Sequence, residues 1–228
     1  MFLGHYAAGF AAKKVAPKMS LGFLFAAALF LDLIWPVFVL FGMEHFTVNP
    51  AIMQMSNFQF TDYPLSHSLA MAVAWGLLWG LVALVLRVDL KTSALLAGLV
   101  VSHWVLDLFV HAQDLPLLPS DGINGMPHRY GLGLWNSMWG TFALEGALFI
   151  AGYVLYVKAT KAKDETGSIG LWAMVAFLVV VYCASVFTAP PSDTKVIAFV
   201  SQFQWLMVFW GYWVDQHRKP GVSKSLLG

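Results

Sequence analysis

Long apolar runs separated by short polar segments dominate the chain. Six of these runs lie at residues 19–42, 66–86, 92–111, 133–158, 168–188 and 195–214. Each is close to or above the about 20 residues that a transmembrane helix needs. The pattern predicts an all-α, polytopic membrane bundle with about six transmembrane helices. Residues 43–65 are apolar and aromatic but contain Pro and Asn, so we expect them to lie along the interface.

Composition agrees with a lipid environment. Hydrophobic residues make up 59% of the chain and charged residues only 11%, against about 25% charged in soluble domains. Mean hydropathy is +0.71. The formal net charge of +1 gives no reason to expect a nucleic-acid partner.

The basic residues predict the orientation. Eleven of the thirteen Lys and Arg residues fall on one side of a six-span bundle, leaving only Arg129 and Lys195 on the other. The positive-inside rule therefore predicts that both termini are cytoplasmic. The eleven are Lys13, Lys14, Lys18, Arg87, Lys91, Lys158, Lys161, Lys163, Arg218, Lys219 and Lys224.

Several ionisable residues fall within the apolar runs, where such groups are costly and usually functional. His103, Asp107 and His111 follow one another at two i,i+4 spacings, which place them on one side of a helix. Two imidazoles and a carboxylate are good ligands for zinc or a similar divalent ion. The pattern leaves three interpretations open: a metal site, an ion-pair cluster that fixes helix register, or a proton relay.

Helix rise predicts that other groups reach the same depth. Asp32 in the first run, His67 at the start of the second and Glu145 in the fourth fall in the middle or outer half of the bilayer. His5 precedes the first basic cluster and has two possible settings. It lies either on an N-terminal half-helix that enters the bundle or on an interfacial helix.

Six segments together resemble the YdjM-like family of inner-membrane metal-dependent hydrolases. The resemblance covers about the first 150 residues and does not extend to the last two runs. It implies a hydrolase of the bacterial inner membrane. The segments are residues 4–9 (GHYAAG), Asp32, residues 63–68 (YPLSHS), residues 102–111 (SHWVLDLFVH), residues 114–117 (DLPL) and residues 131–137 (GLGLWNS).

The order of these residues is also similar to zinc-dependent phospholipase C, in which a helical cage holds a zinc cluster. That resemblance implies one to three zinc ions and a carboxylate that orients water, Asp107 or Glu145. Thr141 stands where that family has a histidine four residues before the glutamate. Asn136 and Arg129 would contact a phosphate head group. The implied metal ligands are His5, Asp32, His67, His103, Asp107 and His111.

The sequence thus predicts a metal-site membrane domain at residues 1–158 and a two-span hairpin at residues 159–228. The predicted function is metal-dependent hydrolysis of a lipid-linked phosphoester near the outer leaflet, with membrane lipid as the surrounding partner. Two alternatives stay open. One is a noncatalytic accessory subunit with a membrane-protein partner, and the other is a transporter for divalent ions or protons.

Overall fold

The computed structural model describes residues 1–121 and 129–221, which form ten α-helices and six short strands. Residues 122–128 of the loop between the third and fourth apolar runs, and Lys224 of the last basic cluster, lie outside the described residues. The helices are α1 Leu3–Ala12, α2 Leu21–Ala28, α3 Phe30–Leu40, α4 Pro64–His67, α5 Leu69–Val85, α6 Leu90–Val110, α7 Met138–Ala159, α8 Glu165–Phe187, α9 Thr194–Ser201 and α10 Gln204–Gln216.

The predicted helical membrane bundle is confirmed, but the number of six spans is not. Among the described residues, three helices (α6, α7 and α8) are long and apolar enough to cross a membrane. The pair α2 and α3 would add a fourth span if it crosses as one unit. Helix α5 has only 17 residues, and the last apolar run is divided between α9 and α10.

Short antiparallel strand pairs connect the helices, and the sequence analysis did not predict them. Strands β1 (His45–Val48) and β2 (Phe58–Asp62) form a hairpin within the segment expected at the interface. Strand β3 (Leu115–Pro116) pairs with β4 (Arg129–Tyr130). Strand β5 (Thr160–Ala162) pairs with β6 (Arg218–Pro220), which joins the linker after α7 to the chain after α10.

Helix α1 is buried in protein, so its interior setting is the one that the structure adopts. It packs against α7, α2 and α6. Phe10 is fully buried and meets Phe25 edge to face. Gly152 of α7 permits the closest approach, because a Cβ atom there would lie 2.4 Å from the carbonyl oxygen of Ala7.

A sharp bend at Leu29 separates α2 from α3. The two helix axes differ by 58°, and Leu29 itself leaves the helical conformation. Ala28 is the last residue of α2, where backbone carbonyls lack partners within the helix. Asp32 falls in the first turn of α3. The bend therefore leaves the Ala28 carbonyl available to a side chain, four residues before the Asp32 carboxylate.

The far end of α1 is fixed by a buried cluster of Lys13, Tyr156 and Asp215, here called the Lys13 cluster. The ammonium group of Lys13 donates to Asp215 Oδ2 at 2.5 Å and to the carbonyl of Met19 at 2.6 Å. The Tyr156 hydroxyl donates to Asp215 Oδ1 at 3.0 Å. These contacts join α1, α7 and α10 at the end of the bundle where β5 and β6 pair.

Candidate metal centre

Asp107 of α6 lies at the middle of four histidines that belong to α1, α4 and α6, with His111 at the C-terminal cap of α6. The Nε2 atoms of His103 and His67 lie 3.2 and 3.9 Å from Asp107 Oδ2. Those of His5 and His111 lie 3.1 and 4.0 Å from Asp107 Oδ1. The sequence left it open whether His5 reaches the site, and the structure places it there.

Asp32 completes the group from the opposite side. Its Oδ1 atom lies 3.5 Å from His67 Nε2 and 3.6 Å from His103 Nε2. Two sets of three possible metal ligands result, and they share His103: one with His5 and Asp107, the other with Asp32 and His67. Within each set the ligand atoms lie within 4.8 Å of one another. The Asp107 centre denotes His5, Asp32, His67, His103, Asp107 and His111.

The centre is closed to solvent except at one carboxylate. His5 and His103 are fully buried, and Asp107 is 1% exposed. The side chain of Asp32 retains 29% exposure. Asp32 is therefore the member of the centre most open to an entering ligand.

Backbone and side-chain acceptors fix the rings of His103 and His111. His103 Nδ1 lies 2.9 Å from the Ala28 carbonyl, which can only accept, so Nδ1 carries the hydrogen. His103 Nε2 then faces the centre, and in the neutral ring it presents its lone pair there. His111 Nδ1 donates to Asp114 Oδ1 at 3.0 Å, and that oxygen also accepts from the Tyr63 hydroxyl at 3.2 Å.

His67 is held differently, through a serine. Its Nδ1 atom lies 2.7 Å from Ser66 Oγ, which lies 2.6 Å from Glu44 Oε2. The other oxygen of Glu44 accepts from the backbone N–H groups of Leu65 and Ser66 at 2.7 and 2.8 Å. Burial raises the pKa of Glu44 to about 7, outweighing the hydrogen bonds that lower it.

His5 and His103 stack face to face, with ring centroids 3.6 Å apart and an interplanar angle of 6°. Two imidazolium ions at this separation would repel strongly in a buried site. At least one ring is therefore neutral, which is the form that binds metal. Among the described residues, His5 Nδ1 and His103 Nε2 have no hydrogen-bond partner.

Glu145 ties α1 to the centre. Its Oε2 atom accepts from the backbone N–H groups of Phe2 and Leu3 at 2.9 and 2.6 Å, with Gly4 at 3.4 Å. Its Oε1 atom is buried and has no partner within the described part of the chain. The amino group of Met1 donates to Asp107 Oδ1. Glu145 therefore has a structural contact on one oxygen and a free second oxygen.

A cavity of about 610 Å³ adjoins the centre. Its polar wall includes Asp32, His67, Asp107, His111 and Glu145. Another wall comes from α8, α9 and α10 and is largely apolar. That wall includes Phe177, Leu178, Val181, Val186, Ile197, Val200, Phe203, Leu206 and Met207.

Two predicted substrate contacts lie outside this cavity. The Arg129 guanidinium donates to the carbonyls of Phe60 and Thr61 at 3.3 and 2.7 Å. Asn136 is exposed on a 3-10 turn. Neither residue is among those that line the cavity. The arrangement gives no support to their predicted contact with a phosphate, because Arg129 already holds the β-hairpin.

Sequence reasoning missed Glu44, Ser66 and Asp114 as partners of the histidine rings. The spacing His111–Asp114 was a usable signal, since residues three apart lie close on a helical turn. Ser66 is adjacent to His67. Glu44 gave no comparable signal, because it reaches Ser66 only through the fold.

No family model, curated protein or solved structure matches this chain. Function is therefore inferred from the chemistry of the centre and its cavity.

Proposed function

We propose that this protein is a metal-dependent hydrolase of the bacterial inner membrane that acts on a lipid-linked phosphoester near the outer leaflet. The main support is the position of His103 Nε2. This buried atom lies 3.2 Å from Asp107 Oδ2 and 3.6 Å from Asp32 Oδ1. In the neutral ring the Nε2 lone pair would face two carboxylates, and a metal cation bound among them would offset that repulsion.

The donors fit zinc. Imidazole nitrogens and carboxylate oxygens are zinc ligands, and the two sets of three leave a coordination position open, as catalytic sites do. The Nδ1–H groups of His103 and His111 each donate a hydrogen bond to an oxygen acceptor. This is the arrangement expected of histidines that bind a metal through Nε2. When bound, zinc activates water near neutral pH and neutralises charge on phosphoryl oxygens.

The chain's own carboxylates have distinct roles in this proposal. Asp107 contacts histidines of both sets and would hold a metal ion together with His5 and His103. Asp32 lines the cavity and is the ligand of the centre that lies nearest to an entering substrate. Glu145 Oε1, buried and unpartnered within the described residues, accepts a proton from the attacking water. The water oxygen bonds to phosphorus, the P–O bond to the leaving group breaks, and the leaving alkoxide takes up the proton that Glu145 received.

The cavity supports an amphipathic substrate. Ligand pockets typically measure about 300–1,000 Å³ and are mostly apolar with a few polar groups. Here the polar wall belongs to the centre, and the apolar wall belongs to α8, α9 and α10. A phosphate head group at the centre would leave its alkyl chain against the apolar wall.

The topology we infer has six spans, with α2–α3, α4–α5 and α9–α10 each crossing as a broken unit. Both termini are cytoplasmic in this arrangement. It is supported by the basic residues, because Lys13 contacts Asp215 and Lys163 donates to the Gln216 carbonyl at one end of the bundle. Reporter fusions at Leu90 and Ala162 should read cytoplasmic, and one at Asp121 should read external. A periplasmic signal at Ala162 would contradict the topology.

Metal analysis of the purified protein tests the function. The wild-type protein should contain zinc or a similar divalent ion and hydrolyse a lipid phosphoester. His103→Ala should lose both properties. His45→Ala is the matched control, because His45 lies on β1 with 61% of its side chain exposed and should retain both. A metal-loaded wild-type protein that is inert across phosphodiester and phosphomonoester lipids would contradict the hydrolase.

A further inference from the structure

The three histidines that face the centre from α4 and α6 differ in what holds their outer ring nitrogen. His103 and His111 donate to groups that only accept, a carbonyl and a carboxylate. His67 contacts a hydroxyl, which can donate or accept. The contact between His67 and Ser66 alone therefore does not decide which ring nitrogen carries the hydrogen.

Glu44 decides it. An ionised carboxylate only accepts, so when Glu44 is ionised the single hydroxyl hydrogen of Ser66 points to Glu44 Oε2 across 2.6 Å. The Ser66 oxygen then has only lone pairs to offer His67, whose Nδ1 must donate. Two backbone N–H groups hold the other oxygen of Glu44, so the carboxylate cannot turn away.

We propose that Glu44 and Ser66 are positioning residues that keep the hydrogen of His67 on Nδ1 and its Nε2 lone pair toward Asp32 and Asp107. This is the only neutral form of the ring that can bind a cation at the centre. The role in metal binding rests on the proposed function, whereas the placement of the hydrogen does not.

Without these residues the ring would favour the opposite form. His67 Nε2 lies 3.5 Å from Asp32 Oδ1 and 3.9 Å from Asp107 Oδ2. Both carboxylates attract a hydrogen to Nε2, so the chain from Glu44 must oppose them. Glu44 could instead serve only to hold the start of α4 through its bonds to the backbone. In that case, loss of the Ser66 hydroxyl would not change which nitrogen of His67 carries the hydrogen.

Histidine ¹⁵N spectra of the full chain in detergent test the placement directly. The spectra are recorded at pH 8.5, where Glu44 is ionised, and His67 is assigned by its loss in His67→Gln. Nδ1 should carry the hydrogen in the wild-type protein. Ser66→Ala should move it to Nε2, and Ser66→Thr, which keeps the hydroxyl, should restore it. Glu44→Gln should raise the Nε2–H fraction, because an amide can donate to Ser66.

Ser68→Ala is the matched control. Ser68 lies in the same turn, but its hydroxyl donates to the Pro64 carbonyl at 2.7 Å and does not contact His67. It should leave the spectrum of His67 unchanged. A wild-type His67 with hydrogen on Nε2 alone, or a Ser66→Ala ring identical to wild type, would overturn the proposal.

Zinc titration against a competing chelator separates this proposal from the hydrolase. Loss of the group that orients a metal-binding histidine typically weakens affinity about 10–100-fold. Ser66→Ala should show a loss in that range, and Ser68→Ala should show none. Unchanged zinc affinity in Ser66→Ala would refute the positioning role. A wild-type protein with hydrogen on Nδ1 that binds no zinc would refute the hydrolase and leave the placement supported.

Discussion

The Lys13 cluster and the Asp107 centre are both buried and polar, yet only one has its hydrogen bonds completed by the chain. In the Lys13 cluster one ammonium faces one carboxylate, and a tyrosine and a carbonyl supply the remaining partners. In the Asp107 centre, His103 Nε2 and His5 Nδ1 lack partners among the described residues. Buried polar groups are normally hydrogen-bonded. The difference separates a cluster whose polar groups pair with one another from one whose buried nitrogens lack partners among the described residues.

Asp107→Asn should have the largest effect, because it removes charge from the residue that contacts four histidines. Lipid phosphoester hydrolysis should fall at least about 100-fold and bound metal should be lost, since a neutral amide is a poor zinc ligand. Elemental analysis and turnover are measured on the same sample. Asp62→Asn, at the end of β2 with 54% of its side chain exposed, is the control and should change neither. Full activity in Asp107→Asn would show that the Asp107 centre takes no part in hydrolysis.

Lys13→Met should lower the free energy of unfolding but leave the bound metal content unchanged, unlike Asp107→Asn. It leaves Asp215 buried and unpaired, which typically costs about 3–5 kcal/mol. Thermal unfolding in detergent measures the loss, and metal content of the folded fraction should match wild type. Lys14→Met is the control because Lys14 is exposed. Lys13→Met/Asp215→Leu should recover most of the stability, and failure to do so would mean that the cluster does more than pair charges.

Glu44 should make stability depend on pH, although its hydrogen bonds are complete. Its pKa rises from an ordinary value of 4.5 to about 7 on folding, chiefly through burial, with a further rise from the charge on Asp62. The folded protein therefore binds the proton more tightly, so stability falls as pH rises from about 4.5 to 7. The fall should be at most about 3 kcal/mol. Melting temperatures across this range should fall less steeply in Glu44→Gln, and equal slopes would contradict the shift.

Val181→Trp should have the smallest effect and would sharpen the distinction between the centre and the apolar wall. The larger side chain narrows the cavity on the α8 side without touching the histidines. Hydrolysis of long-chain lipid phosphoesters should fall about tenfold, a typical penalty for a misfit in an apolar pocket. Short-chain analogues should be affected less. Val180→Trp is the control, because Val180 is 65% exposed, and an equal loss there would mean that the cavity wall is not involved.

The sequence predicted the parts of the centre that depend on helical repetition. His103, Asp107 and His111 share a helix face because 3.6 residues complete a turn. Asp32, His67 and Glu145 could be expected at similar depth from helix rise. The location of His5 could not be decided from the sequence, because a short apolar helix of small residues suits the bundle interior and the membrane interface equally well.

The rest depends on contacts that periodicity does not report. The break at Leu29 occurs in an uninterrupted apolar run, with Pro36 seven residues later, so no local signal marks it. The β1–β2 hairpin was missed although Phe58 and Phe60 alternate with polar residues, a pattern typical of strands. Glu44 reaches His67 across a loop and a strand pair, and a single sequence gives no measure of such distant pairing.

Because of the bend at Leu29, we expect the geometry of the Asp107 centre to depend on bilayer thickness. Spans adjust to the hydrocarbon layer by tilting or kinking, and a span that is already bent adjusts most readily at its joint. The carbonyl that orients His103 belongs to the residue just before this joint, and Asp32 lies three residues after it. A change in the angle between α2 and α3 thus moves both groups relative to each other. We therefore expect the width of the surrounding membrane to change the spacing between these two groups through this joint.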